Sequence, residues 1–260
     1  MADLENPYQP PASDVTDVLD AAASDGAYIE GGRAVVSGRG WSWIQEGWGY
    51  FRRHAGMWVV LSFIFLMLVI AVSLVPVLGW LAAPLLVPVL IAGLLAGCQT
   101  VARGGDLELA HLFAGFRRNT GQLVLVGLIG FALTMVAAIP MTLVMGAGVF
   151  VAGMSGASLP AVGLSLLLAM LISLALFVPI SMATWFAPAL VMLQDQSAPR
   201  AIGESFRGCL KNIVPFLIYG LIIFALSMIA SIPFGLGWLV LMPVVLCSVY
   251  AAYRDIFFSA

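Results

Sequence analysis

From residue 121 to residue 194 the chain carries no charged side chain. No water-soluble core takes up an apolar run of that length, whereas a helix crossing the hydrocarbon of a bilayer needs roughly 20 such residues. Shorter runs of the same kind stand on either side of it, and hydropathy places spans at 57–75, 81–102, part of 123–147, part of 161–193, 213–232 and 236–253. The chain therefore reads as an all-α polytopic membrane protein. Its expected fold is six transmembrane helices with three amphipathic helices at the cytosolic interface. Composition agrees: 62% of the 260 residues are hydrophobic and 9% are charged, where soluble domains carry about 25% charged residues.

The placement of charge says more than the net charge of -2. Arg33, Arg39, Arg52, Arg53, Arg103, Arg117, Arg118, Arg200, Arg207, Lys211 and Arg254 fall in the N-terminal region, in the second and fourth connections, or at the C-terminal end. The first, third and fifth connections have none, so the positive-inside rule puts both termini in the cytosol. That rule also decides the count in the long run, because an odd number of crossings there would carry Arg200, Arg207 and Lys211 to the opposite side. The acidic residues Asp106, Glu108, Asp195, Glu204 and Asp255 share the cytosolic side, which leaves the outer face without formal charge.

Residues 1–40 are of another kind. Seven acidic residues stand there against Arg33 and Arg39, with no apolar run, which predicts a solvated, disordered cytosolic tail. Asn6-Pro7-Tyr8-Gln9-Pro10-Pro11 favours polyproline II, which suits either a docking peptide for an envelope partner or a simple spacer. The membrane domain is expected over 41–258.

Within it, a step of aromatic then arginine occurs three times before a span: Phe51-Arg52, Phe116-Arg117 and Phe206-Arg207. The chain divides accordingly into units of about 41–103, 107–194 and 199–258, each a surface helix followed by two spans. They read either as a triplicated hairpin or as convergence on one juxtamembrane signal. In the first unit Trp41, Ile44, Trp48 and Phe51 share one helical face, expected to lie flat on the leaflet. Leu109, Leu112, Phe113 and Phe116 form the corresponding face in the second unit, and Ile202, Phe206 and Leu210 in the third.

A reactive site is hard to find. His54 and His111 have no partners at metal-ligand spacing, and Cys98, Cys209 and Cys247 show neither ligand spacing nor a disulfide framework. No span interior holds an ionisable residue of the sort that marks an ion path. No enzyme, metal or cofactor is expected, and no basic surface suits nucleic acid. What remains is the cytosolic rim: Trp41, Trp48, Phe51, Arg52, Arg53, Phe116, Arg117, Arg118, Phe206, Arg207, Lys211 and Arg254, with the turn Arg103-Gly104-Gly105-Asp106. Basic side chains at headgroup level attract anionic lipid by about 1 kcal/mol each, and glycine amides in such a turn can face a phosphate. The same residues also serve simply to fix topology.

Arg39-Gly40-Trp41, Glu46-Gly47-Trp48, Phe51-Arg52, the RGGD turn with Leu112-Phe113-Ala114-Gly115-Phe116, and the ending Tyr253-Arg254-Asp255-Ile256-Phe257 resemble an uncharacterised group of bacterial inner-membrane proteins. The likeness covers about 38–258. The chain is also broadly similar to the membrane region of some bacterial glycerophosphodiester phosphodiesterases, without their catalytic domain. The resemblance implies a multi-pass protein of the bacterial cytoplasmic membrane with six helices, and it supplies no catalytic residue. Two functions stay open: a non-enzymatic component that binds anionic lipid or an envelope partner, and an uncoupled transporter or channel for a small or amphiphilic solute. Oligomeric state is not legible.

Overall fold

The computed structural model describes residues 26–76, 78–155 and 159–259. The proline-rich stretch at 6–11 lies outside them. Among the described residues the helices are α1 (Arg39–Arg53), α2 (Ala55–Ser73), α3 (Leu78–Ala102), a 3-10 helix (Leu109–Phe116), α4 (Thr120–Ser155), α5 (Leu159–Trp185), α6 (Ala187–Gln194), α7 (Ala198–Leu210), α8 (Ile213–Ser231) and α9 (Trp238–Phe257). Six stretches are long and apolar enough to cross a membrane: Ala55–Ser73, Gly79–Ala102, Thr120–Gly148, Leu166–Gln194, Ile213–Ser231 and Trp238–Phe257. These match the six expected spans to within a few residues, except that the fourth is broken.

The break is at Phe186, between α5 and α6. Pro188 has no amide to give the helix ladder. The Ser205 hydroxyl, reaching over from α7, accepts the Phe186 amide at 3.0 Å and donates to the Met182 carbonyl at 2.7 Å. Those two backbone groups, four residues apart, would ordinarily bond each other; a side chain inserted between them holds the bend.

The spans form three hairpins, α2/α3, α4 with α5 and α6, and α8/α9. Each is preceded by a short helix that packs on the returning span of the hairpin before it. Thus α1 lies on α9, the 3-10 helix on α3, and α7 on α5 and α6. Glycines permit the close contacts. A Cβ at Gly47 would stand 2.6 Å from the Ser248 amide nitrogen of α9, and one at Gly115 would strike the Val89 carbonyl of α3. Gly93 and Gly97 of α3 receive the 3-10 helix in the same way. The centre belongs to α3 and α9: 67% of the apolar window of α9 is buried, against 11% for the window of α5 and α6.

Three expectations are corrected here. First, α1 does not present Trp41, Ile44, Trp48 and Phe51 together as one exposed face. It buries Gly40, Trp43, Ile44, Gly47 and Phe51 against α8 and α9, leaving Trp41 49% and Trp48 44% exposed. Second, the surface helix of the second unit is a single 3-10 segment, in which Leu112 and Gly115 turn inward while Leu109, Phe113 and Phe116 stay exposed. Third, α7 buries small residues with Glu204 and Cys209, and its expected apolar stripe is not the buried face: Ile202 and Phe206 are half-buried and Leu210 is exposed.

The disorder expected over 1–40 does not extend to its last part, where residues 28–35 are attached to the bundle. Ile29 and Arg33 donate their amides to Phe257 and Ile256, each at 2.8 Å, and Tyr28 forms an antiparallel bridge with Phe258. Gly31 and Gly32 have φ of 68° and 65°, and at Gly32 a side chain would also collide with Ile256; both demand glycine. The buried Asn212 completes the attachment, accepting from the Val35 amide and donating to the Arg33 carbonyl.

Candidate functional site

All formal charge on the spans' connections gathers at one end of the bundle, where α1, the 3-10 helix and α7 sit. Most of its cations are engaged within the protein. Asp255 collects Arg33, Arg39 and the Trp43 indole, with Arg39 Nε at 2.5 Å and Trp43 Nε1 at 2.9 Å from Oδ2. The chain's ending is thereby tied to the start of α1. Arg53 donates to the Val101 carbonyl and lies over the Tyr50 ring, and Lys211 donates to the Gly32 carbonyl. Arg118 pairs with Asp195, whose carboxyl is held below its ordinary value by hydrogen bonds from Arg118 and then from Asn119. Arg200 bridges Glu30 and Glu204.

Glu204 is the most enclosed acid, 2% exposed. Burial by itself would raise its pKa. Hydrogen bonds from Tyr28, Arg200 and Gln196 outweigh that and keep it below the ordinary carboxylate value. On the other partner, burial and then the Glu204 carboxylate push the Tyr28 phenol up. Together these residues hold residues 28–30 on α7.

The expected contact residues thus separate into two groups. Phe51 is buried, and Arg53, Arg118 and Lys211 are held by the protein; Arg103 and Arg254 also interact within the chain. Arg52, Arg117 and Arg207 are exposed and make no ion pair or hydrogen bond among the described residues. They stand one per hairpin. Beside them Trp41, Trp48 and Phe116 are exposed, and Phe206 is half-buried. Asp106 is exposed as well.

The RGGD turn is no phosphate cradle. The Gly105 amide bonds the Thr100 carbonyl at 2.9 Å and the Gly104 amide bonds Val101 at 3.1 Å, with Gly104 at φ 83°. That is a Schellman close to α3, and it uses the very amides a phosphate would need.

Among the described residues no group of His, Cys, Asp or Glu could hold a metal ion. The His111 ring hydrogen-bonds Thr100 and the Glu108 backbone. Burial pushes the Cys209 thiol up to about 12, which removes the thiolate a nucleophile requires. Sulfur atoms of Cys98 and Cys247 approach to 3.3 Å as buried thiols between α3 and α9.

Apolar cavities lie between the helices. One of about 450 Å³ separates α5 from α8. Another, of about 650 Å³, runs between α8 and α9 under Trp41 and Trp48.

No family model matches the chain, and no solved structure matches it. A curated protein of Burkholderia thailandensis, described as a probable inner membrane protein, is 32% identical over 247 residues, 84% of this chain and 90% of the relative. At that identity and coverage the chain belongs to the family of this Burkholderia membrane protein.

Proposed function

We propose that this is a non-enzymatic protein of the bacterial inner membrane, with both termini in the cytosol, that binds anionic lipid headgroups through the rim at its charged end. The observation that carries the reading is the trio Arg52, Arg117 and Arg207. They are exposed and have no ion pair or hydrogen bond among the described residues, while the cations around them are satisfied. Each stands just ahead of an outgoing span, with aromatic side chains close by in sequence. Side chains at that level meet headgroups, and free guanidinium groups bind phosphate in bidentate fashion. The relative's description supports the membrane assignment.

Transport between the hairpins is the second reading, and it has less in its favour. The middle of the bundle is filled by Leu94, Leu95, Cys98, Cys247 and Tyr250, all buried.

Native mass spectrometry from mixed phosphatidylglycerol and phosphatidylcholine membranes tests the rim. The Arg52→Gln, Arg117→Gln, Arg207→Gln protein is expected to lose its preference for phosphatidylglycerol, while Arg118→Gln keeps it. An unchanged preference in the triple variant would refute the reading.

A further inference from the structure

The hairpins are arranged as a ring that is closed at two joints and open at the third. The returning span α3 packs along the outgoing α4, and the returning α9 packs along α2. At the first of these joints Gly127 brings the backbones together, since a Cβ there would stand 3.0 Å from the Leu85 Cα. The third joint, between the returning α5 and the outgoing α8, has no such backbone packing. Aromatic rings bridge it near the charged end, Trp185 lying 6.4 Å from both Phe216 and Tyr219.

Beneath those rings is the cavity of about 450 Å³, well within the 300–1,000 Å³ of ligand sites. Its lining is almost wholly apolar, with Val178, Met182, Leu217 and Ile223 among the walls. Val178 and Leu217 are 46% and 66% exposed, so the cavity opens sideways, toward lipid rather than toward water. Ile213 to Ile223 are the first three turns of α8 from the charged end, about 15 Å of the roughly 30 Å hydrocarbon thickness. The opening therefore faces one leaflet, that of the charged side.

Gly220 lies in the lining, and a Cβ on it would meet nothing within 4 Å. Gly127 and Gly47 are small because another backbone touches them. Gly220 is small beside empty space. Above the mouth, α7 spans from α5 to α8 and carries the exposed Arg207, with Lys211 at its C-cap. An apolar slot below a cationic lip is complementary to an anionic phospholipid lying along the helix axis.

We infer that the α5/α8 gap is a binding site for one acyl chain of an anionic phospholipid from the leaflet on the charged side, with the headgroup at α7. The inference rests on the headgroup reading of the rim for its polar half only; the chain site stands on the cavity.

The test uses the full-length protein in nanodiscs containing phospholipid with a photoreactive diazirine on the acyl chain, followed by peptide mapping. Label is expected to concentrate on the α5 and α8 segments around Met182 and Ile223. Gly220→Leu, whose Cβ meets nothing within 4 Å and whose side chain would enter the slot, is expected to lower that labelling several-fold and to leave labelling of the lipid-facing side of α2 unchanged. Label spread evenly over all outward helices, no response to Gly220→Leu, or cross-links from the gap to a second copy of the chain would each overturn the site. In phosphatidylcholine discs the triple arginine variant is expected to keep the gap label. Its loss there would count against the chain site, whereas an unchanged headgroup preference in that protein counts against the rim alone.

Discussion

Glu204 shows how one side chain decides whether a terminal segment is part of the fold. Its carboxylate receives Tyr28, Gln196 and Arg200 at once, and Arg200 also reaches Glu30. Because the folded protein holds this carboxyl below its ordinary value, the attachment is strongest above the ordinary glutamate range and fades as pH falls through the folded value. Hydrogen exchange, corrected for intrinsic rates, is expected to show the Ile29 and Arg33 amides protected at neutral pH and opening on acidification. In Glu204→Gln that acid-dependent step is expected to vanish. A Gln variant with the same pH profile would contradict the assignment. None of this was legible in the sequence. An acidic, glycine-rich stretch looks solvated on composition, and its partners lie some 180 to 220 residues away. The same holds for Asp255, whose contacts give a physical reason for the Tyr-Arg-Asp-Ile-Phe ending and for Arg39-Gly40-Trp41 at once.

Among the elements, the six spans were legible because length and lack of charge suffice to define them. Their packing faces were not. In α1, counting large aromatics selected Trp41 and Trp48, yet a helix that crosses others closely needs its small residues inward. Gly40 and Gly47, seven apart with Trp43 between them, were the signal that named the buried face. Charged residues were easier: the rim was found as a region, but the pairing that sets Arg52, Arg117 and Arg207 apart depends on neighbours no spacing rule provides. The break in the fourth span was half legible, since Pro188 stands in the sequence beside it as a residue with no amide for the helix ladder, while Ser205, which holds the bend, does not stand out. Ser205→Ala is expected to cost about 1–3 kcal/mol, the usual loss when buried hydrogen-bonding groups lose their partner. Denaturant titration in detergent would register this, and Ser205→Thr, which keeps the hydroxyl, is expected to lose less. An unaltered midpoint for the alanine variant would mean that the bend needs no inserted hydroxyl.

For the whole molecule, the governing asymmetry is electrical. Three hairpins, each entered through a short helix packed on its neighbour, leave every connecting helix at one end, and the cations collect there with them. The described parts of the opposite end, such as Ile232 to Gly237, bear no formal charge. The 36-residue α4 extends about 54 Å, far more than the roughly 30 Å of hydrocarbon, so its far part reaches past the opposite headgroups unless strongly tilted. Lipid binding at the rim, and the chain slot between α5 and α8, both presuppose that the charged end meets the cytosolic leaflet.

Cysteine labelling measures that directly. The three native cysteines are buried, and Gly121 and Gly146 are exposed positions on α4 where a side chain meets nothing within 4 Å. With an impermeant maleimide and sealed spheroplasts, Gly146→Cys is expected to label and Gly121→Cys to stay unreacted until the membrane is opened. Labelling of Gly121→Cys in the sealed cells would place Arg117 and its rim outside, and would contradict the account.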